Sequence, residues 1–344
     1  MSDVDALADR LGEVLAGTSV PGLVAARLHD GRIESWAWGM ARPGVAMTVD
    51  TPLQIGSTSK LLAAIIALSA VAEGVIGLDD DLRDVVVGRD TPAPGWLPSA
   101  DTFTSVRTVL SHRTGLGVHG FLGYPSAALT PARADLLAGR GNSPAVAREH
   151  VAGEFAYSGG AYEWLALALE SLTSTAYPDL LRARVVEPAG LVATFVTSDI
   201  PEQVALGSFG GEWLGGDGFQ HHPEHAAAGV WATAADLARL FHELWLARCD
   251  QSALLPAELA RLMVTPSGVI DDSDDDVGLG CFLPASLPAD RWYRHHGRTI
   301  GFCSTNLAAV DGSRAAIALT NGFPDGTALG ASVCADLVSY QSNP

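Results

Sequence analysis

The sequence predicts an α+β fold: one antiparallel sheet assembled from both ends of the chain, flanked by helices, with a mainly helical subdomain inserted between. Three observations predict it. β-Type apolar runs lie before residue 40 and after residue 278. Helical patterns separated by Pro/Gly loops fill the interval. Two Asp-Gly pairs, Asp30-Gly31 and Asp311-Gly312, stand between strand patterns where tight hairpin turns belong. The 344 residues fit a single domain. Its α/β part is expected over about 1–80 plus 275–344 and its helical part over about 81–274.

Residues 4–16 carry helical spacing in Val4, Leu7, Leu11, Val14 and Leu15. Leu23–Leu28 and Ile33–Trp38 flank the first Asp-Gly turn as a hairpin. Thr51-Pro52 breaks the chain, and a helix opening at Ser57 runs to about Ala72. Apolar residues surround that helix on every side, so it should be buried. Helical patterns follow at 103–112, 144–150, 160–172, 178–186, 233–249 and 256–264. Strand patterns return at Gly278–Leu283, Trp292–His295, Phe302–Val310 and Ala315–Thr320, before a last helix at Ala328–Tyr340. The Asp271–Asp276 run lacks the Gly at position six and the Glu at twelve of a calcium loop, and reads as a solvated loop.

A formal net charge of −18 repels phosphate backbones and anionic lipid, which argues against nucleic acid and membrane surfaces as partners. The acidic Met1-Ser2-Asp3-Val4-Asp5 start has no signal-peptide pattern, and Leu61–Ala72 is too short to span a bilayer. Cys249, Cys281, Cys303 and Cys334 show no C-x-x-C spacing, so a cytoplasmic protein with free thiols is expected. The sequence carries no signal for oligomeric state.

The chain has 20 arginines and one lysine, Lys60, three residues after Ser57. Arginine does not release its proton, whereas a lysine can act as a base. Residues i and i+3 share a helix face, so the Lys60 amine can reach the Ser57 hydroxyl. Burial of this helix start penalises an ammonium charge, and helix-start N–H groups suit an oxyanion. Ser57 also fits an ordinary helix cap. Tyr157, in Tyr157-Ser158-Gly159, offers a phenol that can relay a proton. His295, in His295-His296-Gly297, can donate a hydrogen bond or hold charge near neutral pH. Glycines there permit close backbone approach to a ligand.

Gln54-Ile55-Gly56-Ser57-Thr58-Ser59-Lys60, Leu110-Ser111-His112-Arg113-Thr114-Gly115-Leu116, Tyr157-Ser158-Gly159 and His295-His296-Gly297-x-x-x-Gly301-Phe302 occur in this order. Together they resemble the β-lactamase-related serine hydrolases, which include class C β-lactamases, penicillin-binding peptidases, family VIII esterases, D-aminopeptidases and acyltransferases. The resemblance implies the β-lactamase/penicillin-binding-protein-like fold. It also implies Ser57 as acylated nucleophile, Lys60 as base, Tyr157 as relay and His295 in place of the K-T-G lysine. The backbone N–H groups of Ser57 and Arg298 would form the oxyanion hole. Gly159 stands where the family has an asparagine, and His295 is a weaker cation than lysine; both departures resemble the esterase, aminopeptidase and acyltransferase branches. His119, Phe121 and Tyr124 are expected to line the substrate path, with Gly159, Trp231 and Gly297 in contact with substrate. His112 is expected to be structural.

The implied function is hydrolysis of a small ester or amide through an acyl-Ser57. Transfer of the acyl group to a second acceptor, or non-catalytic acyl trapping, are the alternatives. No cofactor is expected: the G-x-G-x-x-G match at Gly115–Gly120 follows a helical pattern, not a strand. No metal is expected either, because His221, His222 and His225, with Glu224 or Asp217, lie in a Gly-rich segment that reads as a surface loop.

Overall fold

The computed structural model describes residues 3–87, 103–197, 199–270, 275–285, 287 and 292–339. Its main sheet has seven strands, every pair antiparallel. In spatial order these are Trp292–Tyr293, Phe302–Ala309, Arg314–Thr320, Gly22–His29, Arg32–Arg42 and Val45–Ala46, with Gly297–Thr299 also paired to Phe302–Ala309. The centre of the sheet is therefore a seam between the two ends of the chain, registered Leu23↔Thr320 through His29↔Arg314.

Side chains alternate across this seam. Leu23, Ala25, Ala316 and Ala318 pack under the helices Asp3–Ala16 and Gly326–Ser339, against Leu11, Leu15, Leu329 and Val333. Val24, Ala26, Leu28, Ile317 and Leu319 face the larger core that holds Leu237 and Phe241 of helix Ala234–Arg248. Both faces are covered, so these strands read as unbroken apolar runs.

Helix Ser59–Ala72 runs through the larger core with Leu61, Leu62, Ile65, Ile66 and Leu68 all without exposure, and Lys60 is 1% exposed. Helix Gly159–Thr173 packs against it. Ser158 caps that second helix by accepting from the Ala161 N–H at 2.9 Å.

Several expected elements differ. Residues 144–150 form no helix: Val146 N–H donates to the Leu137 carbonyl and the Ala147 carbonyl accepts from Gly117 N–H, so backbone pairing with other segments replaces helical bonding. The strand expected at Gly278–Leu283 shrinks to Phe282–Leu283, because Gly280 takes φ +83° and Gly278 N–H bonds the Cys281 carbonyl in a turn. Asp271–Asp274 lie outside the described residues, and Asp275 is ion-paired with Arg294 at 2.8 Å instead of solvated. The four cysteines are free thiols, Cys249 exposed and the others buried. Among the described residues no helix is long and apolar enough to cross a membrane.

Candidate active site

Ser57 does not cap its helix. It sits in a 3-10 turn, Gly56–Thr58, and the helix proper begins at Ser59 with Thr58 at the cap position. Gly56 takes φ +50°, and a Cβ there would lie 2.7 Å from the Arg298 nitrogen. A Cβ on Gly297 would lie 1.8 Å from the Ile55 carbonyl oxygen and 2.9 Å from the Ser57 nitrogen. Only glycine permits such an approach. It brings the Ser57 and Arg298 backbones side by side and packs Gly297 tightly against the Ile55 backbone.

The Lys60 amine lies 3.3 Å from Ser57 Oγ and donates to the Ala227 carbonyl at 2.8 Å. The Tyr157 ring covers it, with 5.0 Å between Nζ and the ring centroid. A carbonyl oxygen can only accept, so one N–H is committed there and the amine's remaining valence is free to face Ser57. Ala227 was not legible as a site residue, since it contributes only a backbone carbonyl.

Tyr157 stacks on His112 at 4.2 Å between centroids and meets the His119 ring at 4.6 Å in a tilted arrangement. His112 is 1% exposed in a left-handed conformation, φ +56°. Its Nδ1 accepts from the Ser158 N–H at 3.1 Å, which puts the ring proton on Nε2. Burial, and secondarily the charge of Lys60, hold this imidazole neutral far below its ordinary pKa. A neutral, fixed ring thus supports the phenol.

His295 differs from expectation. Burial, then the nearby Lys60 charge, depress its pKa to about 3, so it is a neutral imidazole and not a cation at neutral pH. Nδ1 lies 3.0 Å from the His296 carbonyl and must carry the proton, which leaves Nε2 a lone-pair acceptor with no partner among the described residues. Asn306, which the sequence reading missed, fixes this corner. Its Oδ1 accepts from His295 N–H at 2.9 Å, and its Nδ2 donates to the His295 carbonyl and to Thr58 Oγ1.

Ser57, Lys60, His119, Phe121, Tyr157, His295 and Arg298 line one cleft of about 550 Å³, with Phe155, Phe282 and the Asp275–Arg294 pair also in its wall. Burial and the charges of Lys60 and Arg298 lower the pKa of His119. At Gly159 an added side chain would be crowded: a Cβ would stand 3.1 Å from the His119 carbonyl oxygen and 3.4 Å from the Phe121 ring.

Two expected lining residues are elsewhere. The Tyr124 hydroxyl accepts from Asn142 N–H at 3.0 Å and the ring is buried outside the cleft. Trp231 lines a second cavity of about 300 Å³ and not the cleft, beside its strand pairing with Gln54. The histidine segment is not a surface loop there. His222 pairs with Glu224 at 3.2 Å with both side chains buried, and His221 lies 2.7 Å from Asp217. Among the described residues no group of three or more His, Cys, Asp or Glu is arranged to hold a metal ion.

The chain belongs to the beta-lactamase family, whose model matches residues 5–332. It is 28% identical over 178 residues to ML-236A carboxylate methylbutanoyltransferase of Penicillium citrinum, covering 46% of this chain and 41% of that one. It is 28% identical over 187 residues to D-aminopeptidase of Brucella anthropi, covering 52% of this chain and 33% of the relative. The chain thus spans less than half the length of these relatives. Its fold superposes on the D-amino acid amidase from Ochrobactrum anthropi SV3 with a TM-score of 0.75 at 21% identity, over 98% of this chain and 97% of that chain.

Proposed function

We propose that the protein is a serine hydrolase acting on small esters or amides through an acyl-Ser57. The observation that carries this reading is the 3.3 Å approach of the Lys60 amine to Ser57 Oγ at the base of an aromatic-walled cleft. In its unprotonated form the amine takes the hydroxyl proton as Oγ bonds the substrate carbonyl carbon. The oxygen that gains charge is met by the Ser57 and Arg298 N–H groups. The carbonyl–leaving-group bond then breaks; Tyr157 gives its proton to the departing alcohol or amine and takes the one held by Lys60, which frees the amine for the second step. Water repeats the attack on the acyl-Ser57 ester and frees the acid. His295, neutral, offers its Nε2 lone pair to a substrate donor and does not clamp a carboxylate.

The test is intact-mass analysis after incubation with activated esters, D-amino acid amides and a chromogenic cephalosporin, beside Ser57→Ala. One acyl adduct per chain that forms and decays in wild type and is absent from Ser57→Ala is expected. Loss of the nucleophile costs many orders of magnitude in rate, so near-wild-type turnover by Ser57→Ala defeats the proposal.

A second reading, acyl transfer, is favoured by the apolar wall of Phe121, Phe155 and Phe282, which restrains water, and by the transferase among the relatives. Added alcohol or amine that diverts most product from the free acid selects it.

A further inference from the structure

Glu163 lies one turn into helix Gly159–Thr173, the helix that starts beside Tyr157, and its side chain is buried. Oε1 accepts from the backbone N–H groups of Ala226 at 2.5 Å and Ala227 at 2.9 Å. Oε2 accepts from Arg133 Nε at 3.1 Å and Nη2 at 3.0 Å. Arg133 in turn is tied to Glu170 at 2.7 Å. Ala227 then presents its carbonyl to the Lys60 amine at 2.8 Å. A continuous set of bonds runs from Arg133 through Glu163 and across a single residue to the lysine.

Burial pushes the Glu163 carboxyl pKa up, while Arg133 and the Ala227 N–H pull it back toward the charged form. A buried ion pair of this kind is a poor stabiliser, since apolar side chains of similar volume often hold a core as well. Its distinctive product here is a rigid acceptor for two successive N–H groups in the 225–228 turn, a stretch outside any helix or strand. A free lysine side chain samples many rotamers. Aiming its amine requires a fixed partner, and the Ala227 carbonyl is only as fixed as the turn that carries it.

We propose that Glu163, held by Arg133, is a positioning residue that immobilises the Ala227 carbonyl and thereby aims the Lys60 amine at Ser57. This rests on the reading of Ser57 and Lys60 as nucleophile and base. It acts through the turn and touches no substrate.

Two variants separate positioning from stability. Arg133→Met/Glu163→Met removes both buried charges of the pair together with the acceptor for the turn, so neither member of the pair is left as an unpaired charge. Glu163→Gln discards the charge but keeps an oxygen to accept from the turn. In single-turnover acylation at saturating activated ester, the double variant is expected to keep its fold and slow about 10- to 100-fold, as misplacement of a reacting group does. Glu163→Gln should stay near the wild-type rate despite a lower thermal midpoint, since it breaks the ion pair. A folded double variant acylating at the wild-type rate overturns the proposal, as does Glu163→Gln slowing as far as the double variant. Should the double variant not fold, Glu163→Asp, which withdraws the carboxylate from the turn but keeps its charge, carries the same expected slowing.

Lys60 is the one lysine of the chain, so 13Cε-lysine labelling gives a single resonance that reports its surroundings directly. That resonance should move in the double variant and return in Glu163→Gln; no movement overturns the coupling. If no ester acylates the wild type, the hydrolase reading falls, while the lysine resonance still decides whether Glu163 governs Lys60.

Discussion

Gly159 and His295 are the residues at which the motif resemblance implies a departure, and both lie in closely packed surroundings. A side chain at Gly159 would press on the His119 carbonyl and the Phe121 ring. Restoring the amide therefore overpacks the cleft. Gly159→Asn is expected to lower stability by about 1–3 kcal/mol, read as a lower urea midpoint, without conferring cephalosporin turnover. Adding Phe121→Ala should recover part of the loss; a variant as stable as wild type would show that the space is open after all. At His295 the ring is buried beside Lys60, and an added charge there meets both desolvation and repulsion. This corner of the cleft therefore offers a lone pair and not a cation near neutral pH.

The elements that were legible in sequence are those whose signal is local. The i, i+3 spacing of Ser57 and Lys60, the apolar circumference of helix Ser59–Ala72 and the Asp-Gly turns each depend on neighbours in the chain. What escaped is carried by backbone atoms or by distant packing. Ala227 reaches Lys60 across 167 positions with a carbonyl that every residue possesses. Asn306 reaches the His295 backbone from the neighbouring strand. The charge state of His295 depends on burial that no motif encodes. Trp231 was misplaced because nothing in so short a segment tells which cavity it lines. The junction of the Gly56–Thr58 turn with strand Gly297–Thr299 is the tightest such case. Gly297→Ala drives a methyl group into the Ile55 carbonyl and should cost at least about 3 kcal/mol, lowering the thermal midpoint and abolishing Ser57 acylation. An unaltered midpoint would mean that the strand yields freely and that the apposition of the two amides is not enforced.

For the whole molecule, two of the imidazoles around the cleft are stored neutral at a cost that appears on acidification. His112 and His295 have folded-state pKa values below the ordinary 6.5, His295 at about 3. Between those limits the unfolded chain binds protons that the folded chain refuses, so stability is full above pH 6.5 and falls as pH drops toward 3. Each such ring contributes up to about 1.4 kcal/mol per pH unit in that window. The difference in urea midpoint between pH 7.5 and 5.5 should accordingly be smaller in His295→Asn than in wild type; equal differences would contradict the buried neutral ring. The seam at the centre of the sheet has a further consequence, for assembly. Leu23 meets Thr320, so the first strand pair to be made, Gly22–His29 with Arg32–Arg42, leaves the translating ribosome long before the strand that completes it. Until then one greasy edge stays open, a template for mispairing between nascent chains. Loss of the last strands to a premature stop or a protease would strand that edge permanently, and such fragments are expected to precipitate, not to persist as small enzymes.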